Sequence, residues 1–254
     1  MKIILLFWAF AISTFTFAQN NVMFKNSNQE QEVEQARESH FHLGLDLQTK
    51  YVWRGMEMMT SEAAPVVFPQ INYQYGGLYV YVMGGSAING KYSEVDMGVS
   101  YTYKWLTIGL NDYYYPTVDS PFDQYFIFKN AETGQWLEGV VTIAPEQVPV
   151  YLTVSNFFAG ADKNLDGKQA FSTYAELGGH YDFLNDHSLS LAVGAAFNKS
   201  CYNAYAHQFG ICNIELRYTY NLAVGSLAIP LSAAYIINPV FNKTFVNFTA
   251  SLAL

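Results

Sequence analysis

From Phe41 to Arg54 the chain alternates without a break. Phe41, Leu43, Leu45, Leu47, Thr49, Tyr51 and Trp53 interleave with His42, Gly44, Asp46, Gln48, Lys50, Val52 and Arg54. A period of two sends successive side chains to opposite faces of an extended segment, giving one apolar face and one mostly polar face. The run ends at Gly55. It is longer than the roughly 5 to 6 residues of a typical soluble strand and suits the roughly 9 to 11 of a tilted strand crossing a bilayer.

The alternation then recurs along the chain. Val67, Pro69, Ile71, Tyr73 and Tyr75 oppose Gln70, Asn72 and Gln74, before Gly76 and Gly77 permit a tight reversal. Leu78 to Ser86 is apolar on both parities, leaving its orientation open. Val95, Met97, Val99, Tyr101 and Tyr103 alternate with Glu94, Asp96, Gly98, Ser100 and Thr102. Leu106, Ile108 and Leu110 follow, ending in the Tyr113 to Tyr115 cluster, which suits a membrane interface. Seven further segments repeat the scheme, centred near residues 140, 152, 177, 192, 217, 231 and 250. Connections alternate between short ones, such as Lys104-Trp105, and mostly longer ones, notably Pro116 to Gly134 and Phe158 to Ala170. An even count of antiparallel strands with alternating short turns and long loops is the pattern of a bacterial membrane barrel. The predicted fold is therefore all-β: a transmembrane up-and-down antiparallel β-barrel of about 12 strands over residues 41–254. Both termini are expected on the periplasmic side of the outer membrane of a Gram-negative bacterium.

Two segments precede it. Lys2, the apolar run Ile3 to Ile12 and the small residues up to Ala18 read as a secretory signal peptide over residues 1–18. Residues 19–40 are polar, with Glu30, Glu32, Glu34 and Glu38, and cannot bury enough apolar surface to order themselves. They read as a mobile polar periplasmic leader, with entry into the barrel as a plug the sharper alternative.

Composition narrows the class. Of 254 residues, 51% are hydrophobic and only 13% charged, against roughly 25% charged in an average soluble domain. Aromatics at 17% fit strands with aromatic girdles. A net charge of −8 argues against nucleic acid, whose phosphates require a basic surface. The implied partners are outer-membrane lipids and small polar solutes or ions. With only Cys201 and Cys212, disulfides do not define the fold. A simple hairpin turning at Asn203 and Ala204 would hold the two beyond bridging reach, and an irregular loop could bring them together.

Several marks in order resemble the TorF-like family of outer-membrane porins. They are Tyr51-Val52-Trp53-Arg54-Gly55, Pro65 to Gln70, Asn156 to Asp162 leading into Asp166-Gly167-Lys168, Tyr174 to Leu177, and Asn238-Pro239. The resemblance implies an outer-membrane barrel of poorly known cargo and transfers no catalytic residue. Barrels of this type usually end in an aromatic residue, whereas this chain ends in Leu254.

Three constellations could carry chemistry. Asp162, Asn164 and Asp166 followed by Gly167 match the first half of a calcium loop, but its twelfth position is Thr173 instead of a bidentate Glu. A solvated turn is the better reading and calcium the weaker. His180 and Ser190 fall opposite each other across a predicted turn, as a base and nucleophile would. Both belong to the inward, polar parity, and no third group orients the base at suitable spacing. The chain therefore reads as a non-enzyme without a cofactor. The inward parity holds Asp46, Lys50, Arg54, Glu94, Asp96, Lys104, Glu138, Glu176, Glu215 and Arg217. Such charges in a lumen set ion selectivity, or pair across it and close it. The function these features imply is a passive porin or channel for small polar solutes or ions. The alternative is a structural or surface-interaction barrel without an open pore.

Overall fold

The computed structural model describes residues 40–59, 64–116, 124–129, 132–225 and 227–253. The expected signal peptide, the leader up to residue 39 and Leu254 lie outside the described residues.

In chain order the strands are β1 (Phe41–Gln48), β2 (Val52–Trp53), β3 (Met56–Glu57), β4 (Val66–Tyr75), β5 (Leu78–Ala87), β6 (Ser93–Tyr103) and β7 (Leu106–Tyr114). There follow β8 (Gln135–Ile143), β9 (Val150–Gly160), β10 (Thr173–Phe183) and β11 (His187–Ala196). A 3-10 turn, η1 (Cys201–Asn203), precedes β12 (Gly210–Val224), β13 (Leu227–Asn238) and β14 (Lys243–Ala253). β1 and β4 to β14 close into one antiparallel barrel, sealed where β1 pairs with β14 in the register Leu45↔Leu252. That makes twelve wall strands, as the alternation predicts. β2 and β3 form a separate two-stranded sheet.

The wall faces two solvents. Leu43, Leu45, Ile71, Val82, Val99, Ile108, Leu110, Val141, Leu177, Leu191, Leu216, Val246 and Phe248 are exposed on the outside. Ile108 and Leu110 keep 56% and 53% of their surface, a state that only hydrocarbon makes favourable for so continuous an apolar band. β5, whose orientation the pattern left open, turns Val80 and Val82 outward and Tyr81 and Met83 inward. At the short-turn end the band is rimmed by rings: Tyr181, Phe183, His187, Tyr218 and Tyr220 lie in mutual contact, with Tyr73 beside Phe41 further round. This is the aromatic girdle expected where headgroups begin.

The structure corrects the sequence reading of the first strand and of the tyrosine cluster. The first strand ends at Gln48, short of Gly55: the chain bends at Thr49 and Lys50, leaves the wall, and turns back as the β2–β3 hairpin inside the barrel. Arg54 and Gly55 both have positive φ (50° and 76°), the geometry of a two-residue hairpin turn. The apolar parity of Tyr51 and Trp53 thus meets a protein core instead of lipid. The second concerns Tyr113 to Tyr115: Tyr113 belongs to the interior, while Tyr114 lies under the ring of Tyr125 from the following loop.

Candidate functional site

The hairpin tip occupies the loop-side half of the barrel interior. Tyr51, Trp53 and Tyr202 of η1 pack there against inward side chains of the wall: Val66, Phe68, Met83, Tyr113, Phe157, Tyr174 and Cys212. Trp53 contacts Tyr113, Phe157 and Tyr202 at ring-centroid distances of 5.8, 6.2 and 5.7 Å. Burying apolar surface drives this packing as it would in a soluble core.

Two irregularities of the wall shape the seat. The β8–β9 register shifts between Leu137 and Glu138, leaving Phe158 as the extra residue and aiming both Glu138 and Phe157 inward. The β11–β12 register shifts between Gly194 and Ala195, so Cys212 and Asn213 are both buried. Bulges re-aim side chains in this way wherever one strand carries an extra residue. Gly55 presses against the second bulge: a Cβ there would sit 1.9 Å from the Cys212 carbonyl oxygen. Asn238 donates to the Gly55 carbonyl at 2.9 Å and holds the turn from the other side.

At the tip, Arg54 is enclosed. Its Nη1 donates to Glu138 Oε1 at 2.5 Å and its Nη2 to Oε2 at 3.2 Å; neither side chain retains more than 1% exposure. Nη1 also meets the Tyr202 hydroxyl. Ring faces of Trp53, Tyr174 and Tyr202 lie 4.5, 4.8 and 5.5 Å from the guanidinium carbon. Glu138 accepts a further bond from the Tyr113 hydroxyl at 2.8 Å. Burial alone would disfavour the arginine cation, and the adjacent Glu138 charge reverses that, holding its pKa above the ordinary value.

Two of the other inward carboxylates, Glu94 and Glu176, are capped mainly by phenols. Glu94 accepts from Tyr92 at 2.6 Å and from Tyr51 at 3.4 Å. Glu176 accepts from Tyr174, from Tyr151 at 2.7 Å and from Asn213 at 3.2 Å. Asp46 and Asp96 are fully buried on inward positions. Glu215 pairs with Arg217 two residues on, at 2.7 Å. Lys50 pairs with Glu57 across the base of the hairpin at 2.8 Å. Lys104 departs from the expected inward set: it forms the β6–β7 turn with a positive φ of 55°, exposed beside the Tyr103 ring. A two-residue turn cannot continue the strand parity that placed it inside.

Toward the short turns the interior is small and polar. Thr102 meets Thr107 at 2.9 Å, Thr142 meets Thr153 at 2.8 Å, and Gln70 donates to Tyr79 at 2.6 Å. Tyr151 lies flat along the wall over Gly178, where a Cβ would come within 2.4 Å of its ring.

The remaining expected sites fall elsewhere. Both carboxylate oxygens of Asp162 accept from Ser172, at 2.8 Å from the backbone and 2.6 Å from the hydroxyl. Asn164 Oδ1 accepts from the backbone of Asp166 and Lys168, each at 3.0 Å. The side-chain oxygens of Asp162 and Asn164 are thus engaged within the loop, while Asp166 is exposed. Among the described residues no group of three acidic, His or Cys side chains could hold a metal. Burial raises the Asp162 carboxyl, against the hydrogen bonds from Ser172, and likewise raises the Cys201 thiol. Cys201 and Cys212 are free thiols. His180 and Ser190 are cross-strand partners, as expected. Asp182, two residues from His180 on the same face, lies 3.8 Å from its Nε2, beyond hydrogen-bond length.

Sequence reasoning missed Tyr202, Trp53 and Phe157 as interior residues. The available signal was the inward parity of Val66, Phe68 and Met83: apolar residues facing a lumen require something apolar to cover them.

The fold and the two-faced wall define the class, a transmembrane β-barrel of outer-membrane type with a loop hairpin seated in its lumen. No family model and no curated protein matches the chain. Among solved structures it is similar to the KdgM porin (9% identity, 84% of this chain and 97% of that one, TM-score 0.46). It is also similar to the NanC porin (10%, 83% and 98%, 0.49). A mutant of the Rh. blastica porin matches at 10% over 74% of this chain and 55% of that one, at a TM-score of 0.40, so the chain spans about half of that porin. Likenesses of this depth assign neither a solute nor a mechanism.

Proposed function

We propose that this protein is a passive outer-membrane channel for small polar solutes or ions, of low conductance and favouring cations. The observation that carries the reading is the contrast across the wall: an apolar exterior encloses an interior with Asp46, Glu94, Asp96, Glu138, Glu176 and Glu215 against Lys50, Arg54 and Arg217. An acidic excess lowers the electrostatic barrier for cations and raises it for anions. Twelve strands enclose a bore between that of filled eight-stranded and open sixteen-stranded barrels. The hairpin narrows it further. In this reading the short turns and both termini are periplasmic, and the loops face outward. The TorF-like resemblance is in keeping with it.

The test is single-channel recording of the refolded barrel in planar bilayers under a potassium chloride gradient. Small unitary currents with a cation-selective reversal potential are expected, with selectivity weakened in Asp46→Asn and Glu215→Gln. Silence over a wide voltage range favours the second reading, a structural or surface-interaction barrel. Supporting that second reading are the filled loop-side core and the exposed loop rings of Phe126 and Phe128.

A further inference from the structure

The cage around Arg54 has two parts of different origin. Its fixed part belongs to the barrel and η1: the Glu138 carboxylate on β8, the Tyr113 hydroxyl on β7, the rings of Phe157 on β9 and Tyr174 on β10, and Tyr202. Its removable part, Arg54 with Trp53, arrives on a hairpin whose strands pair only with each other. Among the described residues, side chains join that hairpin to the wall: Arg54 to Glu138, Tyr51 to Glu94, Asn238 to the Gly55 carbonyl, and Lys243 near Glu57. Withdrawing the tip would break no ladder of the barrel.

We propose that the fixed part is a binding site for guanidinium-type organic cations, which the chain fills with its own arginine until a solute takes its place. The inference rests on the channel reading and names the solute class of the same interior. A flat cation with a fork of N–H donors matches a carboxylate bidentately, and its faces are attracted to aromatic rings. Here the chain itself demonstrates that fit, with two bonds to Glu138 and, from the fixed part, the rings of Tyr174 and Tyr202 4.8 and 5.5 Å from the guanidinium carbon. A second observation is independent of Arg54. Glu94 and Asp96, both fully buried in the same half of the interior, have no cationic partner among the described residues. Glu176 is satisfied by phenols and an amide alone. One guanidinium thus stands among four carboxylates, an interior that favours admission of further cations. Inorganic cations would gain the charge but neither the fork nor the ring faces.

The test uses the mature barrel in detergent, with Arg54→Ala emptying the cage. Thermal unfolding is followed by the β-sheet circular dichroism signal while methylguanidinium chloride is added at millimolar concentration, with potassium chloride at equal ionic strength as control. Arg54→Ala is expected to melt below the wild type, and methylguanidinium to restore about half of the loss or more, saturably, as a ligand of the folded state does. Potassium should restore none of it, and the double variant Arg54→Ala/Glu138→Gln should gain nothing from either salt. An equal response to both salts, no saturable response, or full rescue of the double variant overturns the proposal. If Arg54→Ala does not fold, Arg54→Lys, which keeps the charge without the fork, takes its place in the same titration. Rescue with a wild-type barrel silent in bilayers removes the channel and keeps the site; conduction without rescue does the reverse.

Discussion

The two halves of the barrel interior are built by one alternating wall and end in opposite condition. Toward the loops, the inward positions carry Val66, Phe68, Met83, Tyr113, Phe157 and Tyr174 and are covered by Trp53, Tyr51 and Tyr202, with a desolvated ion pair in their midst. Toward the turns they carry Thr102, Thr107, Thr142, Thr153 and Gln70, joined in hydrogen-bonded pairs across neighbouring strands. The loop-side half is a small soluble-type core enclosed by a membrane protein. The turn-side half is a polar lining whose members bond along the wall. Enclosure by a barrel therefore does not determine what fills it: the hydrophobic effect acts inside only where a loop supplies the apolar partner.

The largest effect should come from breaking the ion pair. Glu138→Leu leaves the Arg54 cation buried without its anion and is expected to destabilise the barrel by about 3–5 kcal/mol, measured by urea unfolding in detergent or lipid. Adding Arg54→Met should recover much of that loss, because the two sites are coupled. If Glu138→Leu were as mild as a change in the turn-side half, the contrast between the halves would fail.

Next comes the wall itself. Leu110→Arg, on the lipid face, should cost about 2–4 kcal/mol. Thr107→Arg, three residues earlier on the same strand, faces the polar lining of the turn-side half and should cost clearly less in the same assay.

A third substitution acts on the bore more than on stability. Gly178→Val places a side chain where the Tyr151 ring lies, which would push that ring off the wall and into the lumen. A cost of about 1–3 kcal/mol is expected from the overpacking, with a lower unitary conductance as the sharper readout. The smallest effect belongs to the threonine pairs: Thr142→Val should change stability by no more than about 1 kcal/mol.

Much of this architecture is legible in the amino-acid sequence. Leu106, Ile108 and Leu110 against Thr107 and Asn111 specify a strand and its outward face, because one residue of slip would expose every polar group to lipid. The facing of His180 and Ser190 followed from the turn between them, since a short turn sets register. Of the site, the inward parity of Glu94, Glu138 and Glu176 could be read. Two phenol donors, Tyr92 and Tyr174, stand two residues before Glu94 and Glu176, within reach of the period of two. Tyr51, Tyr113 and Tyr151 reach their carboxylates from the hairpin or a neighbouring strand, and no local periodicity encodes which of them meets which. β5 shows the limit from another side: Leu78 to Ser86 is apolar on both parities, and only its neighbours decide which parity meets lipid.

Residues 41 to 55 bring the division into one stretch. Local alternation there is enough to dictate extended backbone, because a period of two serves only a chain whose faces meet two environments. It says nothing about which enclosure receives the apolar face. Up to Gln48 that enclosure is lipid; beyond the bend at Thr49 it is the barrel's own core, since Phe157, Tyr174 and Glu138 stand across the lumen on strands 80 residues and more along the chain. Burial of Trp53 and pairing of Arg54 are long-range events, and they exist only once the twelve strands have closed.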